Sequence, residues 1–261
     1  ANADADTITL GAGTYNLTLG GSGEDSAAGG DLDIRRDLTI TGADAATTII
    51  NGAGINDRIF DMFNPNTDFN LSNVTLQGGV ASGEDGGAIR VINGGVTVSL
   101  NQVIISNNQA VEGGGIYNNG TLNITDSTIV DNIANTSSVG GGISNYGTAT
   151  LDSVTINGNS AGDGGGIYND NAGDILTLTN VTVSDNNANS QVIVSLLPNG
   201  KGGGLYVNGG SVDIVNSTFT LNVAFSGNGG GIWVGGGAVD IYNTIVSDNK
   251  TTALVSGNDV S

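Results

Sequence analysis

Six cations are available to this chain of 261 residues: Arg35, Arg36, Arg58, Arg90, Lys201 and Lys250. They face 25 aspartates and glutamates, and there is no histidine and no cysteine. Those counts exclude histidine-based triads, histidine metal sites, disulfides and thiol chemistry. What remains is carboxylate chemistry and arginine or lysine chemistry. Paired carboxylates do general acid and base work only at close range, and pairs such as Asp4/Asp6 and Asp31/Asp33 arise by chance in so acidic a chain. Arg35 and Arg36 stand beside Asp31, Asp33 and Asp37, where a structural salt-bridge cluster is the simplest expectation. The cations are scattered along the length, none in a recognisable catalytic motif.

Calcium is a more concrete expectation. Hard cations seek several oxygens, from carboxylates and from the carbonyls of glycine turns. Asp85, Glu112 and Asp163 each immediately precede a glycine phrase, which places them near one corner of a repeating structure. They form the candidate Ca2+ set, and Glu24/Asp25 and Glu84/Asp85 are further adjacent acids. Val139 and Lys201 hold the same position in two other copies, so the acidic column is interrupted. No cofactor is required by any of these residues. A second candidate set, for carbohydrate, is largely aromatic. Arg90, Tyr117, Ser144, Tyr168, Tyr206 and Trp233 each follow the apolar residue that closes a glycine phrase. If that apolar residue points inward, its neighbour points outward. Arg90, Tyr117, Tyr168, Tyr206 and Trp233 would then line one flat parallel sheet. Such a strip either holds sugar rings by stacking or merely stacks its own rings over the glycine corner.

The elements that must position these residues follow from the phrase itself. Gly-Gly-Ala-Ile at 86–89 returns as Gly-Gly-Gly-Ile or Gly-Gly-Gly-Leu at 113–116, 140–143, 164–167, 202–205 and 229–232. The closing residues Ile89, Ile116, Ile143, Ile167, Leu205 and Ile232 are spaced by 27, 27, 24, 38 and 27 residues. A period of this size marks a solenoid. Within each period lie two or three short strands with period-two alternation, and no stripe of 3.6-residue period runs anywhere. The last of these strands ends in Asn-x-Ala in most copies, giving the set Asn108, Asn132, Asn159, Asn186, Asn222 and Asn249. One rung cannot bury its apolar side alone, whereas stacked rungs bury a continuous column and pair every backbone edge. Stacked asparagine amides can bond to one another about 4.8 Å apart, and asparagine at a turn tolerates the left-handed conformation. The expected fold is all-β: a parallel β-helix of about nine to ten rungs, right-handed by the usual rule for parallel crossovers. Residues 1–83 read as irregular opening rungs and 84–261 as regular repeats of 24–27 residues, in one domain, with Gln191–Lys201 inserted. That insertion either packs its own Ile and Leu or carries function. The stack is expected to continue into a longer chain or to be capped by another domain.

Composition narrows the partners. Glycine numbers 45 and proline 2, and glycine has no three-residue period, which excludes collagen. Hydrophobic residues make up 38% and recur in register, which argues against disorder. A net charge of −19 repels phosphate backbones, so no nucleic acid is expected. No stretch of about 20 apolar residues offers a membrane span. A cysteine-free, acidic, Asn/Gly/Thr-rich solenoid looks exported and bacterial, placed outside the cell or on its surface. Its oligomeric state is open. The threonines do not form the two clean rows that ice binding would need.

The repeats resemble bacterial surface and secreted proteins of the pectin-lyase-like β-helix superfamily, including polymorphic outer-membrane-protein repeats. The opening Asp6-Thr7-Ile8-Thr9-Leu10-Gly11-Ala12-Gly13-Thr14-Tyr15 is similar to the segment after the Cys-Ser-Leu-Arg-Glu-Ala motif of large secreted β-helix proteins, a motif absent from this chain. The resemblance covers nearly the whole length and speaks for the fold. For function it allows two readings, because this architecture carries lyases, hydrolases and adhesins alike. One is a non-catalytic structural or adhesive module that contacts polysaccharide or cell-surface glycan. The other is a polysaccharide lyase or glycoside hydrolase, for which the resemblance implies an Arg or Lys base beside a carboxylate-held Ca2+, or two or three close aspartates.

Overall fold

A computed structural model of the chain describes residues 6–21, 29–189, 200–225 and 228–252. Of the expected insertion, only Gly200 and Lys201 fall within them; Asp4, Glu24 and Asp25 lie outside. The described residues form a parallel β-solenoid without helices. Each regular turn gives one strand to each of four parallel sheets, of nine, nine, six and eight strands among the described residues. The expectation of two or three strands per repeat is therefore corrected to four. The additional ones are short, as in Ile116–Asn118 and Ile133–Ala134.

Alternation decides what each strand buries. In Thr121–Thr125, Leu122 and Ile124 face the core while the threonines and Asn123 face outward. Strict register then stacks like on like: Leu100, Ile124, Leu151, Leu178 and Ile214 are successive partners. The apolar anchors of the glycine phrases do the same, from Ile89 to Ile232, all fully buried. The 38-residue interval between Ile167 and Leu205 leaves this register intact. The opening strands belong to the same sheets: Asp6–Leu10 pairs with Leu38–Gly42, which pairs with Asp68–Ser72. Only the sheet of two-residue strands starts late, at Gln109–Ala110.

The asparagine set forms a continuous buried ladder. Side-chain amides of Asn108, Asn132, Asn159, Asn186 and Asn222 each donate to the Oδ1 of the next asparagine at 2.9–3.0 Å. The same oxygens accept the backbone N–H of the preceding rung's asparagine, at 2.9–3.1 Å. Gly79 stands where the asparagine will later stand, and its N–H donates to Asn108 at 2.9 Å. The left-handed conformation falls on the residue before each asparagine, not on the asparagine: Asn107, Asp131, Gly158, Asp185, Leu221 and Asp248 have φ of 55–66°. The preceding residue turns the chain so that the asparagine amide can point inward along the stack. In the glycine phrase, Gly113 has a φ of 58° and makes the corner, while a Cβ on Gly114 would lie 2.4 Å from the Ile133 backbone. One glycine is needed for the turn and the next for close approach.

Candidate functional site

One outward position of the glycine-phrase sheet runs the length of the solenoid. Successive partners are Asp33, Asp61, Arg90, Tyr117, Ser144, Tyr168, Tyr206 and Trp233. The column expected from Arg90 to Trp233 is in register, and it extends two rungs further towards the N-terminus into acids.

The aromatic part is a ladder of rings. Tyr146 fills the gap left by the small Ser144: its ring centroid is 5.1 Å from Tyr117 and 6.0 Å from Tyr168. Tyr168 and Tyr206 meet edge to face at 5.2 Å. The rings are not laid out as an open flat strip: Tyr168 and Tyr206 are only 7% and 8% exposed. Their hydroxyls explain the posture. Tyr146 donates to Glu112 at 2.7 Å, Tyr168 to Asp170 at 2.6 Å and Tyr206 to Asn208 at 3.1 Å. Burial and the neighbouring carboxylates hold these hydroxyls protonated; Tyr117 is pushed up to about 12, and Tyr146, Tyr168 and Tyr206 are raised as well. Tyr117, Tyr146 and Trp233 keep more exposure. Beside the ladder, Asp170, Asn171, Asn208, Gly209, Gly210 and Gly237 line a shallow groove. Lys201 places its Nζ 5.8 Å from the Tyr206 ring centroid.

The proposed Ca2+ acids occupy one corner, as expected, but each is engaged by the neighbouring rung. Asp85 Oδ1 accepts the Glu112 N–H at 3.2 Å, and Asp163 Oδ1 accepts the Lys201 N–H at 2.8 Å. Glu112 takes the Tyr146 hydroxyl. Burial raises the affinity of all three carboxylates for a proton. Among the described residues, a different trio converges: Asp31, Asp33 and Asp61 each bring one oxygen within 4.8 Å of the others.

That trio belongs to a buried charged cluster that reaches beyond the expected group of Asp31, Asp33 and Arg35 to Arg58, Asp61, Glu84 and Arg90. Arg58 is fully buried; its guanidinium donates to Asp31 at 2.8 Å and to Asp61 at 3.4 Å, and also meets Glu84. Arg90 grips both Asp61 oxygens, through Nε at 3.0 Å and through Nη2, and reaches Glu84 at 3.0 Å. The cations are thus not all scattered: Arg58 and Arg90, on adjacent turns, share Asp61 and Glu84. The salt-bridge cluster expected around Arg35 and Arg36 is narrower. Arg35 pairs with Asp33 at 3.0 Å and lies over the Phe63 ring, while Asp37 accepts the Asp68 N–H. Register was the missing signal. Asp33, Asp61 and Arg90 are 28 and 29 residues apart, close to the repeat period, which places them in one column.

A second buried asparagine ladder also escaped the sequence reading. Asn118, Asn145 and Asn169 are linked amide to Oδ1 at 2.8 Å, and Asn169 ends the run on the Gly209 carbonyl. Its signal was present in Ile-Tyr-Asn, Ile-Ser-Asn and Ile-Tyr-Asn at 116–118, 143–145 and 167–169.

Residues 102–119 and 153–170 match the profile of the Chlamydia polymorphic membrane protein repeat. Both stretches run from the left-handed corner before a three-residue strand, across the buried asparagine and the glycine phrase, into the column position of Tyr117 or Tyr168. None of the curated proteins matches the chain. Fold and repeat match agree on a parallel β-solenoid built of sequence repeats. No helix among the described residues is long and apolar enough to cross a membrane.

Proposed function

We propose that this chain is a non-catalytic adhesive module of a secreted or cell-surface bacterial protein, and that its aromatic ladder contacts a glycan. The observation that carries the reading is the ladder from Tyr117 through Tyr146, Tyr168 and Tyr206 to Trp233, flanked by Asp170 and Asn208. Aromatic rings give sugars an apolar stacking surface and the flanking acids and amides take their hydroxyls. The more exposed rings, Tyr117, Tyr146 and Trp233, are the stacking positions. The covered ones, Tyr168 and Tyr206, hold the strip rigid. The repeat match supports display at a bacterial outer surface.

A glycan array read with and without Ca2+ tests this, comparing the wild type with Trp233→Ala. Binding by the wild type that is lost in a variant of unchanged melting temperature is the expected result. A wild type that binds no glycan under either condition overturns the carbohydrate reading. The enzymatic alternative, a polysaccharide lyase or glycoside hydrolase, draws on the convergence of Asp31, Asp33 and Asp61 with Arg58 and Arg90. Burial weighs against it: Asp31, Asp61 and Arg58 have side chains at most 1% exposed. Release of new reducing ends or unsaturated products from acidic polysaccharides would establish it.

A further inference from the structure

The charged cluster at the head of the column is short of positive charge. Asp31, Asp33, Asp57, Asp61 and Glu84 bring five carboxylates, and Arg35, Arg58 and Arg90 bring three guanidinium groups. Among the described residues, two negative charges are left over where the side chains of Asp31, Asp33 and Asp61 are at most 1% exposed. Nearby Asp85 cannot relieve this, because it adds a further carboxylate and spends one oxygen on the Glu112 N–H. Uncompensated carboxylates in a low dielectric repel strongly.

The hydrogen bonds show where the deficit lies. Asp31 Oδ2 is taken by Arg58 and Asp33 Oδ2 by Arg35. Asp31 Oδ1 and Asp33 Oδ1 are buried and have no hydrogen-bond partner among the described residues. Buried polar atoms are paired in the great majority of cases, so an unpaired buried carboxylate oxygen calls for a bound partner. Asp31 immediately precedes the short strand Leu32–Asp33. Asp33 is the register partner of Asp61 on the next rung. One oxygen from each of the three lies within 4.8 Å of the others, a spacing suited to a shared cation. Asp31 also forms part of the wall of a pocket with Leu17, Leu19, Gly29 and Gly30.

We propose that Asp31, Asp33 and Asp61 bind one divalent cation, Ca2+, which neutralises the two leftover charges and joins the two rungs at the head of the solenoid. Calcium fits better than magnesium. It accepts an irregular set of protein oxygens, mono- or bidentate, whereas magnesium demands octahedral geometry and keeps its waters. The site is distinct from the corner acids Asp85, Glu112 and Asp163, each already bonded to the next rung or to Tyr146. Its role is structural and does not depend on the glycan reading. Burial raises the Asp31 carboxyl to about 7, so a proton is the competing occupant in the absence of metal.

The test uses the whole chain, stripped with EDTA and exchanged into buffer at pH 7.5. Calorimetric titration with CaCl2 should give one site per chain. The melting temperature should rise by about 5 °C or more at a Ca2+ concentration a hundredfold above Kd. MgCl2 at the same concentration should do markedly less. Asp33→Asn, which keeps shape and removes one charge, should abolish both the heat and the shift. Glu112→Gln should keep both. Asp31→Asn is the second variant, read the same way should Asp33→Asn fail to fold. No Ca2+ binding by the wild type overturns the proposal and leaves the proton as the occupant. Binding that survives both aspartate variants but is lost in Glu112→Gln overturns it too and moves the ion to the corner acids.

Discussion

The two ends of the outward column show what a solenoid does to side chains. Towards the C-terminal end the same register position holds Tyr168, Tyr206 and Trp233, and rings rest on rings. Towards the N-terminal end it holds Asp33, Asp61 and Arg90, and charges are stacked at the same rung spacing. Neutral groups tolerate repetition: aromatic rings pack edge to face, and asparagine amides donate upward and accept from below. Identical charges do not. The head of the column therefore needs a change of sign at Arg90 and a second guanidinium, Arg58, brought in beside it. The ladder spreads its stability over many equivalent contacts, while the charged head concentrates it in a few.

The largest effect is expected where that concentration is greatest. Arg58→Met should cost about 3–5 kcal/mol in chemical unfolding, because it strands the buried Asp31 carboxylate and takes one of two guanidinium partners from Asp61. Next comes the centre of the asparagine ladder. Asn159→Ala removes the acceptor used by both the backbone and side-chain N–H of Asn132, and the donor to Asn186. Its expected cost is about 2–4 kcal/mol by the same measurement, with each stranded polar group contributing about 1–3. A third test uses pH. The Asp31 carboxyl sits at about 7 in the folded chain against 3.8 for an ordinary aspartate, mainly through burial, opposed by the Arg58 hydrogen bond and reinforced by Asp57 and Asp61. The folded state therefore holds this proton more tightly than the unfolded state. The resulting stability is fully present below pH 3.8 and is lost as pH rises through 7. In EDTA the melting temperature should fall between pH 5 and pH 8. Asp31→Asn should flatten that fall, leaving the smaller contribution of Asp85, Glu112 and Asp163, whose shifts have the same sign. The smallest effect belongs to the ladder: Tyr168→Phe loses one hydroxyl bond to Asp170 and should cost about 1 kcal/mol.

Much of this was legible in the sequence because the solenoid repeats. The glycine phrase, the apolar anchors and the asparagine set sit at one interval, and stacking turns interval into contact. The aromatic column was readable for the same reason. Tyr146 was not, because it lies two residues beyond the column position and enters only by filling the space above Ser144. The left-handed corner lies one residue before the position the pattern marks, because the pattern marks the buried asparagine and not the variable residue that turns the chain before it. The charged head was hidden by its irregular opening. Asp31, Arg58 and Glu84 come together across turns whose lengths differ, where no phrase announces the register.

The central claim is that a single register runs along this face, with Tyr146 bridging two rungs. Proton NOE spectroscopy on the chain with labelled tyrosine rings tests it directly. The account predicts cross-peaks from Tyr146 ring protons to both Tyr117 and Tyr168, and from Tyr168 to Tyr206, as centroid distances of 5.1, 6.0 and 5.2 Å require. Rings of a folded chain that show no Tyr146 contact to either neighbour would contradict it.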